Sequence, residues 1–223
     1  MSHSEMIGIV LDIYPYEENA HIVSFYTNSG ILNLYALGLS KPKSKNRANL
    51  QIGLPVRIEY YKPRFEGKIG KLKKVHIVEN FKFYDETVSQ FKLKITKVLK
   101  QCEFRSLFVS KYLKILPEIN PYNINYIYTH FLTQFITMFG IAPNFSSCRI
   151  CNSYKAIVYF DLEEGGFICN IHEEQKWMDV NLLNLIWSSY NDVYTYINNV
   201  DELFNNDFQK KLKKVLVKNG VGV

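Results

Sequence analysis

No stretch of the 223-residue chain approaches eighteen uninterrupted apolar residues; even the greasiest segment, 131–141, is broken by Thr, Gln and Gly. A helix that crosses a membrane is therefore not expected. The first residues show no basic run followed by an apolar one, so no secretory leader is expected, and the cytoplasm is the expected compartment. Cysteine is scarce, with four residues. In an intracellular chain that argues against a disulfide framework and toward a metal or buried thiols. The glycine patterns that cradle phosphates are missing, as are G-x-S-x-G and H-E-x-x-H. The acidic pairs 85–86, 163–164 and 173–174 are sequence neighbours, which do not face each other on a helix or strand; they read as solvated surface or helix caps. His3, His21, His76 and His130 have no partner at ligand spacing. No enzymatic activity is expected, and no repeat of fixed period is visible.

What the chain does have is a concentrated positive charge. The formal net charge is +6, but residues 41–74 alone carry +9, leaving −3 for all the rest. Clustered Lys and Arg attract polyanions by releasing their condensed counterions. A merely solvated lysine face is the plainer alternative, and clustering within one candidate domain favours nucleic acid over it. The candidate DNA-binding residues are Lys41, Lys43, Lys45, Arg47, Lys62, Arg64, Lys71, Lys73 and Lys74. Tyr60, Tyr61 and Phe65 are interleaved with this charge; they either stack on unpaired bases or pack in the core or rim.

With 47% hydrophobic and 15% aromatic residues, the chain can build real cores. Short apolar runs at 7–11, 21–26, 31–37, 56–61 and 71–78 read as five strands, with a hairpin turn at 27–30 in which Gly30 supplies a positive φ. Five strands in some eighty residues, with a long basic loop after the third, suit an OB-fold-like barrel; an SH3-like barrel is the nearest competitor. From residue 85 the apolar period becomes helical. One face runs from Val88 to Cys102 and continues through Phe108 toward Pro117, and Cys102 on it reads as a core thiol. A second, wide apolar stripe begins at Pro121 and stops at Gly140 and Pro143. Residues 181–197 and 207–217 read as two further helices, the last one rich in lysine that either complements the helix dipole or makes a secondary DNA contact. The expected fold class is α+β: a five-stranded OB-fold-like DNA-binding barrel over 1–80, then a helical bundle over 81–223 with an inserted zinc hairpin at 145–175.

The hairpin carries the strongest motif. Cys148-Arg-Ile-Cys151 and Cys169-Asn-Ile-His172 are separated by seventeen residues whose pattern reads as two strands and a turn, which returns the second pair to the first. Four ligands close a tetrahedron, so one structural Zn2+ is expected; a catalytic zinc keeps a position open. The triplet His172-Glu173-Glu174 has the H-x-E form of zinc deaminases, but it follows the Cys pair, and Ser147 stands where those enzymes have proline.

Several separated blocks resemble the bacterial RecO family of DNA repair and recombination mediators. They are Gly8-Ile9-Val10-Leu11-Asp12, Tyr16-Glu17-Glu18, the run from His21 to Thr27 and Gly30. Further on come Phe139-Gly140-Ile141-Ala142-Pro143 ahead of the first Cys pair, and Tyr159-Phe160-Asp161-Leu162-Glu163-Glu164-Gly165-Gly166 ahead of Cys169. The resemblance implies a RecF-pathway mediator that binds single- and double-stranded DNA and anneals complementary strands. Its implied partners are RecR and the single-strand-binding protein, and it would load the recombinase without hydrolysing nucleotide, near the nucleoid. Two positions depart from the family pattern. Ser40 stands where the basic loop of the family has an arginine, which lowers geometric specificity for phosphate. His172 stands where many relatives have cysteine, and both residue types bind zinc. A zinc-containing scaffold and an RNA-binding protein are the alternative readings of the same features.

Overall fold

Short apolar runs build the first strands. In the computed structural model, which describes residues 3–41, 43–63, 65, 67–141 and 143–223, these strands are β1 (His3–Glu17), β2 (Ala20–Thr27) and β3 (Gly30–Leu37), joined as an antiparallel meander. The turn between β2 and β3 needs Gly30: its φ is +99°, and a Cβ would lie 2.7 Å from the Glu103 carbonyl oxygen. Thr27 Oγ1 donates to the Gly30 carbonyl at 2.8 Å and accepts from the Ser29 N–H at 3.1 Å, so the loop closes on itself. After the short helix α1 (Lys45–Asn49) come β4 (Pro55–Tyr61) and β5 (Gly70–Ile77).

The strands close in the order β1-β2-β3-β5-β4. β3 and β5 are parallel, with Leu34 opposite Gly70 and Tyr35 opposite Lys71. A closed five-stranded Greek-key barrel with a helix between its third and fourth strands is the OB-fold, so the SH3-like alternative is set aside. Inside lie Val10, Val23, Phe25, Leu34, Ala36, Val56, Ile58, Tyr60, Leu72 and Val75, with Leu39 and Leu50 packed against them. Burial of this set excludes water from one face of every strand, which fixes register, since a one-residue slip would turn the whole set outward.

Two compact units divide the chain, 1–120 and 121–223. The first adds α2 (Glu86–Leu99), α3 (Phe108–Ile115) and a 3-10 turn at Leu116–Glu118. Tyr26 on the outer face of β2 donates to the Phe104 carbonyl at 3.0 Å and lies 2.9 Å from Ser106 Oγ, and Tyr112 of α3 donates to the Gly53 carbonyl at 2.9 Å. Cys102 is fully buried beside Tyr26, as expected of a core thiol. One helical face was expected from 88 to beyond 108. The structure instead ends α2 at Leu99, where the Gln101 and Cys102 N–H groups tighten onto the Val98 and Leu99 carbonyls, and starts α3 anew after Ser106, whose N–H donates to the Asn28 carbonyl of the β2–β3 turn.

The second unit holds α4 (Ile124–Met138), the hairpin β6 (Ile157–Asp161) and β7 (Gly166–Cys169), then α5 (Val180–Asn191), α6 (Val193–Asn199) and α7 (Glu202–Lys218). α4 is buried over nearly its whole circumference from Ile127 to Ile136, the mark of a central helix. The single helix expected over 181–197 is two. Asp192 breaks it by leaving the helical region (φ −145°) and capping α6, accepting from the Thr195 N–H at 3.1 Å. α7 presents Asn205, Phe208, Gln209, Leu212, Val215 and Leu216 inward, at successive steps of one and three.

Candidate nucleic-acid interface and metal centre

The basic residues gather because two asparagines staple α1 to the barrel. Asn46 exchanges both bonds with β5, accepting from the Val75 N–H at 3.1 Å and donating to the Lys73 carbonyl at 3.2 Å. Asn49 donates to the Val75 carbonyl at 2.7 Å. Ser44 caps the helix, accepting from the Arg47 N–H. Lys45 and Arg47 on α1 and Lys71, Lys73 and Lys74 on β5 therefore occupy adjoining elements, all exposed. Lys41 and Lys43 are exposed in the loop leading to α1, and Lys62 is exposed just past β4. Arg64 lies outside the described residues.

β5 carries two consecutive outward lysines because the ladder slips between Glu59 and Tyr60: Lys74 pairs with Glu59 and Leu72 with Tyr60, leaving Lys73 as the extra residue. Lys73 is not a free charge. Its Nζ lies 3.1 Å from Glu59, which also faces His3 at 3.4 Å and His76 at 3.8 Å. The Lys73 hydrogen bond, more than any other neighbour, holds the Glu59 carboxyl below the usual carboxylate range. Of the aromatic residues, Tyr60 is in the barrel core and does not reach solvent, Tyr61 is half-buried with its ring edge-on to His3, and Phe65 is 73% exposed. The stapling role of Asn46 and Asn49 was not read from the sequence; their i, i+3 spacing on a short polar helix was the available signal.

The second site is a cluster of Cys148, Cys151, Cys169 and His172, whose ligand atoms all lie within 4.8 Å of one another. Each pair sits on a tight turn. Asn152, in the left-handed region (φ +58°), donates its N–H to the Cys148 carbonyl at 2.8 Å, and the N–H groups of His172 and Glu173 both reach the Cys169 carbonyl. The two turns are tied together through the hairpin: the Arg149 N–H donates to the Phe167 carbonyl at 2.8 Å, and Asn144 bridges to Gly166. Gly166 is required there, with φ +116° and a Cβ position 2.4 Å from Asn144 backbone atoms. Asn144 also orders the approach, its Oδ1 accepting from the N–H groups of Ser146 and Ser147 at 2.9 Å.

The donor set fits one tetrahedral metal. With metal–sulfur bonds of about 2.3 Å and metal–nitrogen bonds of about 2.05 Å, tetrahedral edges are about 3.8 Å between sulfurs and about 3.6 Å between sulfur and nitrogen. Cys151 Sγ and Cys169 Sγ are 3.7 Å apart, and His172 Nδ1 lies 3.6 Å from Cys148 Sγ and 3.3 Å from Cys169 Sγ. The cluster could hold one metal ion. Burial pushes the Cys148 thiol up, but the N–H groups of Cys151, Ile150 and Cys169, together with the Cys169 side chain, outweigh it and bring it down to about 6. At Cys151 the Ser153 N–H lowers the thiol, but burial and the sulfurs of Cys148 and Cys169 raise it on balance. Three thiols this close resist simultaneous ionisation unless a cation joins them.

The fold and site define an OB-fold protein with a basic helix stapled to its fifth strand and a separate helical unit that carries a Cys3His hairpin. Residues 1–81 match the family model described as Recombination protein O N terminal. DNA repair protein RecO of Mesoplasma florum is 30% identical over 213 aligned residues, covering 87% of this chain and 77% of the relative. DNA repair proteins RecO of Bacillus mycoides and Bacillus cereus are each 25% identical over 179 residues, covering 75% of this chain and 70% of the relative. The chain belongs to the RecO family, and so to proteins of DNA repair and recombination. Among the described residues, no helix is long and apolar enough to cross a membrane.

Proposed function

We propose that the chain is a recombination mediator that binds single- and double-stranded DNA through the barrel, anneals complementary strands and helps load the recombinase onto coated single strands. RecR and the single-strand-binding protein are its proposed partners and the cytoplasm, at the nucleoid, its proposed place; no nucleotide turnover is part of this reading. The observation that supports it most is the stapling of α1 to β5, which gathers Lys45 and Arg47 with Lys71 and Lys74 on one family-matched barrel. Phosphates of two strands repel each other, and lysines that neutralise both while leaving base edges free favour pairing. Lys41, Lys43 and Lys62 extend the same positive track. Lys73, already opposed by Glu59, contributes less than its neighbours.

The same reading assigns Cys148, Cys151, Cys169 and His172 to one structural Zn2+, which supplies a cross-link between the two turns when bound. The chain's own part is to present three sulfurs and Nδ1 at tetrahedral spacing, held by the hairpin ladder and by Asn144.

Salt-dependent binding tests the DNA reading. If five to seven phosphates are contacted, log affinity for single strands falls with log salt at a slope of roughly −3.5 to −5. Changing Lys41, Lys43, Lys45 and Arg47 together to Gln flattens that slope and slows annealing of complementary strands. An unchanged slope in this variant moves the DNA site off α1 and its loop.

A further inference from the structure

The outer surface of the barrel divides into a covered half and an open half. At the covered end, Tyr26 turns outward from β2 and is received by Phe104 and Ser106. A polar row follows: Asp12 is opposite Ser24 and Ser24 opposite Asn33, with Ser24 Oγ donating to Asn33 Oδ1 at 2.6 Å and Asp12 paired with Lys100. Past it the surface is open, and it is aromatic. Tyr14 pairs with Ile22, Ile22 with Tyr35, Tyr35 with Lys71, and Lys71 with Tyr61, so these residues form one row across β1, β2, β3, β5 and β4. Their sequence neighbours Ile13, Val23, Leu34, Ala36, Leu72 and Tyr60 pack in the core, which turns the row itself outward.

Tyr14 is 46% exposed and Tyr16, at the end of β1, is 62% exposed. Tyr16 stands edge-on to Tyr35 with ring centroids 6.1 Å apart. The Tyr35 hydroxyl donates to Glu17 at 2.9 Å, which fixes that ring. Exposed aromatics are costly to leave in water, and Tyr14 and Tyr16 beside the half-buried Tyr35 ring on one face call for an occupant. The charge beside them says which. Lys71 lies in the row itself, and the stapled α1 carries Lys45 and Arg47 against the same strand. Spacing then selects the form of nucleic acid. Tyr14 and Tyr35 stand two strands apart, about 10 Å, roughly three times the 3.4 Å rise of stacked bases. A base can reach each ring only when it is unstacked from its neighbours.

We propose that Tyr14, Tyr16 and Tyr35 form a base-stacking platform for single-stranded nucleic acid, with its backbone running on the Lys71 and α1 side and away from Glu17 and Glu18. This rests on the DNA-binding reading above and assigns the residues that distinguish single strands from duplex. Stacking acts through ring faces and leaves the number of neutralised phosphates unchanged, so the two contributions separate experimentally.

The test is anisotropy titration of the full chain over salt, with a labelled thymidine oligomer, an abasic oligomer of equal length and a duplex. Tyr14→Leu, Tyr16→Leu and Tyr35→Leu together weaken thymidine binding by about tenfold for each base that stacks, with the salt slope and duplex affinity unchanged and the melting temperature retained. Tyr→Phe at the same positions restores the lost affinity, because the ring face is kept. Wild-type affinity in the Leu variant, alongside a slope that still responds to the lysine changes, overturns the platform and leaves the DNA reading standing. Equal losses on thymidine, abasic and duplex probes also overturn it. If the unaltered chain binds none of the three probes, both readings fall.

Discussion

Cys151 is the exposed member of a cluster whose other two sulfurs, Cys148 and Cys169, are buried. The Ser153 N–H lowers its thiol, but desolvation and the Cys148 and Cys169 sulfurs raise it on balance. Replacing Cys151 by Ser removes one sulfur vertex of the tetrahedron and leaves the Cys169 sulfur, 3.7 Å away, without that neighbour. Because metal binding to such a site is coupled to folding, Cys151→Ser lowers bound metal from one equivalent to near zero and destabilises the 121–223 unit by more than about 3 kcal/mol. Metal analysis and thermal unfolding check this; unchanged melting with full metal content would remove the ligand assignment. The four residues were legible in the sequence because a two-residue spacer constrains both members of a pair to one turn. Tyr14, Tyr16 and Tyr35 were not, because alternation shows which residues point outward but not which part of the outer surface the helices cover. Tyr60 was decidable in principle: it continues the inward alternation of Val56 and Ile58.

Between elements, the seam of α4 with α6 and α7 is held by polar groups as much as by apolar ones. Asn205 of α7 is fully buried, and its Oδ1 accepts from Thr129 at 2.8 Å and from Tyr196 at 2.9 Å. Gln209, one turn later, donates to Thr129 Oγ1 at 3.0 Å. The Asn205 Nδ2, by contrast, has no partner among the described residues. Asn205→Ala would strip the acceptor from a buried tyrosine hydroxyl, and such an orphaned group costs about 1–3 kcal/mol beyond the bond itself. The expected loss is about 2–3 kcal/mol in denaturant unfolding, with the midpoint lowered and the slope unchanged. A loss under about 0.5 kcal/mol would show that water replaces the side chain. No period in the sequence marks this seam, since Thr, Asn and Gln at inward helical positions look like surface until their partners on other helices are known. The same reason hid the break at Asp192: a capping aspartate inside an apolar period is visible only when the chain around it leaves helical geometry. The barrel was more legible, because apolar runs mark its strands and Gly30 and the basic loop punctuate them, although β1 extends to His3–Glu17, well beyond the expected 7–11.

Over the whole chain, charge and metal are assigned to different units. Every described candidate DNA residue lies within 1–120, and all four residues of the Cys3His cluster lie within 121–223. The lysines of α7 are largely engaged within their own unit: Lys211 pairs with Asp207 at 2.7 Å, Lys214 with Glu163 at 3.2 Å, and Lys213 donates to Gln209 at 2.9 Å. Exposed pairs of this kind contribute little to stability, but each supplies a carboxylate or amide that a phosphate would have to displace. The strong positive field is thus confined to residues 41–74, where +9 is set against −3 elsewhere. Removing the metal should therefore separate the two units functionally. A chelator lowers the melting transition of the helical unit and loosens the hairpin, while the barrel retains its own core and its eight described candidate cations. Single-strand affinity then changes by less than about threefold and the salt slope keeps its value, because the slope counts phosphates neutralised and no barrel lysine has moved. A slope that drops by two or more units on chelation would mean that lysines of the second unit reach the DNA only when the Cys3His turns are clamped, and the interface would have to be redrawn across both units.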